Sequence, residues 1–280
     1  MNKATHKKLE KLLSNTGDMA LKRRARRIIE EIDPQPKDRI LEVGCGDGFY
    51  FHLLSNLGIK NISLTGCDVD NNALKSAKRN LKGKKIKLLY ADLMKKLPFK
   101  SQSFNKIIMS EVAEHLQDDV KGLKEAKRVL KKGGILVVTV PNANYPFFWD
   151  PVNWTLEHLF LTHIKEGFWA GIWNQHLRLY KPEEIEKAVK KAGFKVEKVE
   201  SMTFWCLPFN HNLMHYAAKK LYGGGLDEKT SKSISKFETK RKSSKLSIKF
   251  AFDAVNTTDK LNDILSFNNW GVGVIVLGSK

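Results

Sequence analysis

Arg39-Ile40-Leu41-Glu42-Val43-Gly44-Cys45-Gly46-Asp47-Gly48-Phe49-Tyr50 is the stretch on which the fold turns. An apolar, β-branched run ends in three alternate glycines, and a helical pattern follows. This order predicts a buried strand, a turn too tight for side chains and a helix N-terminus. Glycine suits a backbone that must reach positive φ or admit a ligand where a Cβ would stand. A bare Gly-x-Gly-x-Gly is also compatible with a tight turn that binds nothing. The rest of the chain decides between the two.

Downstream, strands and helices alternate. Helix is expected over Phe49–Leu57, strand from Ile62 to Cys67 ending at Asp68, and helix over Asn71–Leu81. Strand follows at Ile86–Tyr90, ahead of Ala91-Asp92, and again at Phe104–Met109, ahead of Ser110-Glu111-Val112-Ala113-Glu114-His115. An amphipathic helix over Leu116–Leu130, a turn at Lys131–Gly134 and a strand over Ile135–Val140 complete the run. Short connections and largely apolar strands imply βαβ units and a doubly wound, mostly parallel α/β sheet. In such sheets ligands sit beyond the carboxyl ends of the strands. That edge collects Gly44–Gly48, Asp68, Asp92, Ser110–His115 and Pro141-Asn142.

Upstream of the glycine stretch, residues 1–18 are polar and read as loosely helical. Met19–Ile32 has helical spacing and stops at Asp33-Pro34-Gln35-Pro36. Beyond the fifth strand, Asn142–Tyr180 is rich in aromatics and too long for an ordinary connection, so an insertion or lid is expected. Pro182–Ala192 is helical, with proline and acids in its first turn, and Phe194–Val199 is a strand. Helices are expected at Asn210–Tyr222 and Lys245–Phe267, a polar stretch at Asp227–Ser244, and a last strand at Val272–Leu277.

The 280 residues are 42% hydrophobic and 28% charged, as in globular proteins, and carry a net charge of +19. Residues 1–30 hold nine Lys/Arg against three acids, and residues 219–250 hold ten against three, so two segments supply 13 of the 19 charges. Such segments suit an anionic partner or simply a lysine-rich surface. Met1–Lys11 is basic without an apolar core, so no signal peptide is expected. No apolar run approaches the roughly 18 residues that span a bilayer. Cys45, Cys67 and Cys206 leave an odd thiol and imply a reducing cytoplasm.

The chemistry of the strand ends narrows the ligand. Dinucleotide sites use Gly-x-Gly-x-x-Gly, and here Phe49 stands where the third glycine belongs. Glu42 and Asp47 flank the turn, where carboxylates would repel a pyrophosphate but attract a cation. S-adenosylmethionine carries an ammonium and a sulfonium and no phosphate. Asp68, 24 residues after Gly44, is placed to accept ribose hydroxyls. Asp92 is placed to receive an adenine amine or to cap its loop. Asp70 reads as a helix N-cap.

Ile40–Gly48, Gly66-Cys67-Asp68-Val69-Asp70, Ala91-Asp92-Leu93, Leu97-Pro98-Phe99, Ser103-Phe104 and Glu111–Leu116 together resemble the class I S-adenosylmethionine-dependent methyltransferases. The resemblance is closest to the small-molecule group of ubiquinone and menaquinone biosynthesis. Gly133-Gly134, Val140-Pro141-Asn142 and His176–Tyr180 ahead of Pro182-Glu183-Glu184 extend it, so that it covers about residues 37–200. It implies a seven-stranded Rossmann-like sheet, transferase activity of the methyl-transferring class (EC 2.1.1) and S-adenosyl-L-methionine as cofactor. By the same resemblance Glu42, Gly44, Cys45, Gly46, Asp47 and Gly48 cradle the methionine end. Asp68 holds the ribose, Val69 presses on the adenine, Asp92 and Leu93 contact its edge, and Ser110-Glu111 close over the cofactor. Asn105 departs from the aspartate usual after Ser-Phe, at the start of a strand and away from the cofactor.

Methyl transfer needs alignment, and a base only when the acceptor must lose a proton. His115 is the candidate for that base, or for orienting the acceptor, with ordering of the loop by Glu114-His115 as the structural alternative. His158, His163 and His176 lie among aromatics, and His211 and His215 are at i, i+4. No spacing supplies the four ligands of a zinc site, so no metal is expected.

The expected organisation is a basic helical cap (1–36), the cofactor-binding core (37–141), an aromatic insertion (142–180) and completion of the sheet (181–280). The last part includes a helical, basic insertion at about 204–266. Three acceptors compete: a small or lipid-linked molecule under the insertion, a substrate at an anionic membrane surface met by Phe204–Phe209 and the basic segment, or RNA. No RNA-binding module is visible, and the Asn/Asp-Pro-Pro-Tyr pattern of base-amine methylation is missing, so nucleic acid is the weaker reading. A non-catalytic subunit of the same fold is the remaining alternative. A cytoplasmic protein, peripheral at the inner membrane face if it meets lipid, is expected.

Overall fold

A computed structural model describes residues 1–205, 235–238, 246–264 and 269–280. The expected helix at Asn210–Tyr222, His211, His215, Cys206 and most of the basic segment 219–250 lie outside the described residues.

Seven strands form one sheet: β1 (Arg39–Val43), β2 (Ser63–Asp68), β3 (Ile86–Tyr90), β4 (Phe104–Ser110), β5 (Leu130–Pro141), β6 (Lys195–Met202) and β7 (Gly273–Ser279). Their spatial order is β3-β2-β1-β4-β5-β7-β6. β7 runs antiparallel to β5 and β6, and the other pairs are parallel. The doubly wound, mostly parallel sheet read from the sequence is therefore present. Strand order reverses between β1 and β4, which places the crevice at the carboxyl ends of those two strands.

The helices are α1 (Lys3–Leu13), α2 (Met19–Ile32), α3 (Phe49–Leu57), α4 (Asn71–Asn80), α5 (Asp119–Val129), α6 (Pro151–Phe160), α7 (Pro182–Lys191), α8 (Leu246–Asp259) and the short α9 (Leu261–Ile264). One core layer lies under α5 and α7, and a second joins α1, α2 and α3 to the opposite sheet face. A third, smaller cluster packs Tyr145, Trp149 and Ile172 of the insertion against Met19, Val255 and Val272.

Several local expectations are corrected. Residues 3–13 form a regular helix, because Asn2 Oδ1 caps Thr5 N–H at 2.9 Å and Leu9, Leu12 and Leu13 are buried. The helix expected from Leu116 begins at Asp119, where Asp118 caps Lys121 N–H at 2.8 Å, and the residues before it form a 3₁₀ turn (Ala113–His115). Lys131–Gly134 is a bulge within β5, because Phe104 faces Leu130 while Lys106 faces Ile135. Gly133 N–H and Lys280 N–H close it by bonding Lys280 O and Gly134 O. The helix expected over 245–267 breaks after Asp259. Asp70 caps α4 as read, through Asn72 N–H at 2.7 Å.

The insertion 142–180 carries secondary structure of its own. Asp150-Pro151 opens α6 as N-cap and N1, and a 3₁₀ stretch covers Phe168–Trp173. Buried Asn153 ties the two together by donating to Asp150 Oδ2 and to Trp169 O and Ala170 O. Glu157 accepts from Tyr145 Oη at 2.6 Å and Trp173 Nε1 at 2.5 Å. Among the described residues no helix is long and apolar enough to cross a membrane.

Candidate active site

At the end of β1 the chain leaves the sheet through the glycine turn. Gly44 N–H and Cys45 N–H both donate to Cys67 O on β2, at 2.8 and 3.0 Å. Gly44 sits at φ +69°, and a Cβ there would stand 2.4 Å from Val112 Cγ2. Gly46 sits at φ +51°, and a Cβ there would meet nothing within 4 Å. Packing therefore explains the first glycine, while the second faces open space. Gly48 begins α3 and lies tight against Leu81.

The acids around this turn differ sharply in how they are satisfied. Asp68 Oδ2 accepts Gly46 N–H at 2.8 Å and Oδ1 accepts Asp70 N–H at 2.9 Å, so this carboxylate braces the loop from β2. Asp47 Oδ2 is 2.8 Å from Lys236 Nζ, which also lies 5.0 Å from the Phe49 ring centre. Glu42 is 2% exposed, and its Oε2 has no hydrogen-bond partner among the described residues. Burial, then the charges of Asp47 and Asp68, push the Glu42 carboxyl well above the usual carboxylate range. A cation placed beside it would reverse that shift.

The remaining residues expected at the cofactor divide into exposed and packed. Val69 is 57% exposed at the strand end, an open apolar platform. Leu93 is buried in the core against Leu116 and Gly122, so it offers a ligand its backbone rather than its side chain. Cys45 is also buried, touching the Cα side of Gly66, and burial pushes its thiol up. Asp92 Oδ1 caps Met94 N–H at 2.8 Å. Asn105 lies at the far edge of the sheet: it accepts Arg39 N–H at 2.6 Å and donates to Asp38.

A polar chain runs across the top of β4 that the sequence did not announce. Ser110 Oγ is 2.9 Å from both Tyr50 Oη and Thr139 Oγ1. Thr139 Oγ1 also donates to Glu111 Oε1 at 3.2 Å, and Glu111 Oε2 meets the Arg24 guanidinium at 2.7 Å. Glu111 itself has φ +54°, a strained conformation for a non-glycine residue that these partners hold in place. Burial raises the Tyr50 phenol, with Arg24 opposing. Neither Arg24 nor Tyr50 carries a motif. Each reaches the site from a helix, with its partner far away in sequence.

Next in the chain, Glu114 is fully buried while the His115 side chain is 40% exposed. His115 Nδ1 is 2.9 Å from Gln175 O of the insertion, and its ring centre is 5.0 Å from that of His176. Burial lowers His176 and, with the Glu111 charge, raises Glu114 well above its ordinary range. The insertion thus roofs the end of β4. Its outer surface presents Leu159, Phe160, Leu161 (93% exposed), Phe147, Phe168 and Trp169 to the outside.

The basic residues of α2 are spoken for. Lys22 and Arg23 pair with Asp259, Arg26 with Glu10, and Arg27 with Glu30, Glu31 and Glu200. These four side chains of α2 join elements of the fold, so they are not a free anion-binding arm; Arg24, the fifth, stands against Glu111 in the polar chain of the site.

Comparison with known proteins agrees with this architecture. The family profile described as "Methyltransferase domain" matches residues 41–138, from β1 to β5. The ubiquinone biosynthesis O-methyltransferase of Pelagibacter ubique is 26% identical over 61% of this chain and 67% of its own length. The demethylmenaquinone methyltransferase of Staphylococcus aureus is 27% identical over 64% of this chain and 76% of its own. Among solved structures, the chain is similar in fold to one from the complex of the Haloferax volcanii Trm112 methyltransferase activator with a methyltransferase. The TM-score is 0.56 at 15% identity, covering 100% of this chain and 98% of that one.

Proposed function

We propose that this chain, a class I S-adenosyl-L-methionine-dependent methyltransferase, methylates an oxygen or carbon of a small-molecule or lipid-linked acceptor. The observation that carries the donor half is Glu42, a buried carboxylate with an unpartnered oxygen beside a glycine turn that leaves room at Gly46. That combination fits a ligand bearing an ammonium. Bound there, S-adenosylmethionine supplies an electrophilic methyl on a sulfonium, and the residues around it bind and align.

Glu42 takes the ammonium of the donor, and Gly44, Cys45, Gly46, Asp47 and Gly48 shape the cradle around it. The N–H groups of Gly44, Cys45 and Gly46 already donate within the protein. The donor's carboxylate therefore needs a cation, and Arg24, held by Glu111 beside Tyr50, supplies it. Asp68 accepts ribose hydroxyls through the lone pairs its loop contacts leave free. Val69 covers one adenine face, Asp92 and the Leu93 backbone line its edge, and Ser110-Glu111 close the site. His115 serves the acceptor side, orienting the accepting atom or taking its proton.

The acceptor half rests on the insertion. Its exposed aromatic and leucine side chains suit an apolar or lipid-borne substrate better than a polynucleotide. The ion pairing of α2 removes part of the charge that an RNA reading needs. Titration calorimetry with S-adenosylmethionine tests the donor half, with micromolar binding expected, and no binding overturns it. For the acceptor, the purified chain is given methyl-labelled donor and separate lipid, small-metabolite and RNA fractions. Label in the lipid or metabolite fraction is expected; label confined to RNA overturns the reading. Mass spectrometry of cells lacking the gene then identifies the acceptor as the species that accumulates unmethylated.

A further inference from the structure

β4 and β5 end side by side, with Ser110 the register partner of Thr139. Just past that point Glu111 N–H donates to Thr139 O at 2.9 Å. Thr139 is fully buried. Its hydroxyl meets Glu111 Oε1 at 3.2 Å and Ser110 Oγ at 2.9 Å. Ser110 Oγ meets Tyr50 Oη at 2.9 Å, and the phenol is hydrogen-bonded to Arg24, which pairs with Glu111 Oε2 at 2.7 Å. Arg24, Tyr50, Ser110, Thr139 and Glu111 therefore close a ring that joins α2, α3, β4 and β5.

Counting protons gives the ring a direction. A guanidinium only donates, a carboxylate only accepts, and each hydroxyl has one proton to give. Arg24 donates to both Tyr50 and Glu111. Thr139 gives its proton to Glu111, so it accepts from Ser110, and Ser110 in turn accepts from Tyr50. Each hydroxyl thus makes one bond as donor and one as acceptor, and buried chains of this kind strengthen one another. The Arg24 Nε–H stands outside the ring: it is buried and has no partner among the described residues.

Glu111 is the member of the ring that needs support. Its φ of +54° is costly for a residue with a side chain. Thr139 holds it twice, through its carbonyl on the Glu111 N–H and through its hydroxyl on the Glu111 carboxylate. A substitution at 139 keeps the first contact and removes the second.

We propose that Thr139 is a positioning residue for the carboxylate end of the donor: its hydroxyl fixes the Glu111 side chain, and Glu111 aims the Arg24 guanidinium. The inference rests on the reading of this site as an S-adenosylmethionine site with Arg24 at the donor's carboxylate. Thr139 itself, fully buried, acts only through the other members of the ring. Thr139→Val keeps the branched shape but takes the acceptor from Ser110 and the donor from Glu111 Oε1. Arg24 alone then holds the Glu111 side chain, and the pair leaves the orientation the donor needs. A defect of this kind falls on one functional group of the ligand.

The test compares two ligands on the full chain by titration calorimetry. Decarboxylated S-adenosylmethionine keeps the ammonium, the sulfonium and the adenosine of S-adenosylmethionine and lacks only the carboxylate. The native chain should prefer S-adenosylmethionine at least tenfold. Thr139→Val should weaken S-adenosylmethionine about tenfold and leave the analogue within twofold, and Thr139→Ser should restore the native preference. Adding Thr139→Val to Arg24→Gln should weaken binding no further. Thr139→Ala, which also lacks the hydroxyl, should repeat the pattern and serves where the valine variant does not fold. Equal weakening of both ligands makes Thr139 a structural residue and overturns the proposal, as does a variant that binds both as the native chain does. A native chain that binds the two ligands alike removes Arg24 from the carboxylate and overturns the proposal, while the methyltransferase reading stands. A native chain that binds neither sinks that reading and the proposal together.

Discussion

Two clusters of charge stand on either side of β1, and the fold treats them in opposite ways. The arginine-rich helix α2 looks in sequence like an arm awaiting an anion, yet Lys22, Arg23, Arg26 and Arg27 meet Asp259, Asp263, Glu10, Glu31 and Glu200. The glycine turn has fewer charges, yet Glu42 is buried with an unpartnered oxygen beside two more acids. Paired charge is fold; unpaired buried charge is a cost that a ligand can relieve. The number of charges in a segment says little about which case applies.

The sharpest way to break this contrast is to unpair the paired cluster. Asp259 is 1% exposed and neutralises Lys22, Arg23 and Arg26 together. Asp259→Ala leaves buried Lys22 without a carboxylate and Arg23 and Arg26 short of one each, and should cost about 3 kcal/mol of stability, read as a lower denaturation midpoint. Donor affinity at a temperature where the variant is folded should be unchanged. A variant as stable as the native chain would show that these pairs are not what anchors α8 to α2.

Glu42→Gln is the converse experiment. It removes an ionisable group the fold does not pair, so the unliganded protein should keep or gain stability. Donor binding should weaken by about 2–4 kcal/mol, as when one partner of a buried charge pair is lost. Calorimetry and a thermal melt on the same sample separate the two effects. Loss of stability with donor affinity intact would make Glu42 a structural residue and overturn the contrast.

The same comparison explains what was legible in the sequence. The β1 turn, Asp68 and Ser110-Glu111 could be placed because each lies within a few residues of a strand end, and strand ends in this fold share one edge. Asp70 as a cap could be placed because its partner is two residues away. The role of Arg23 could not, since Asp259 lies 236 residues on. Arg24 and Tyr50 were missed for the same reason, as helix residues whose function depends on which face turns to the sheet. Residues 1–18 read as only loosely helical because the three buried leucines of α1 occupy one end of a polar stretch. The helices of the insertion escape a reading of the sequence because its order comes from polar hubs, buried Asp150 and Asn153 and half-buried Glu157, rather than from periodicity.

A pH titration sharpens the reading of Glu42 further. Its carboxyl is raised in the folded chain, mainly by burial. Its contribution to stability is therefore fully present below the ordinary carboxylate range and is lost as pH rises through the raised folded value. An ammonium bound beside it needs the ionised form, so donor binding in that window should release a proton and tighten with pH. The slope should approach tenfold per unit, about 1.4 kcal/mol. Calorimetry in buffers of different ionisation enthalpy counts the proton directly, and the dependence should vanish in Glu42→Gln. A flat profile in the native chain would mean that Glu42 is already ionised before the donor arrives.

The smallest effect concerns the turn itself. Gly46→Ala places a Cβ at φ +51° where no protein atom lies within 4 Å. The backbone penalty for a left-handed alanine is about 1 kcal/mol, with no steric clash to add to it. If the open space were only solvent, stability would fall by that amount and donor affinity would hold. If it is the donor's space, affinity should fall several-fold beyond what the stability loss explains. Gly44→Ala serves as the control, because its Cβ would strike Val112 at 2.4 Å and damage the fold whether or not a ligand is present. The pair distinguishes a glycine kept for packing from one kept for the ligand, at two positions two residues apart on the same turn.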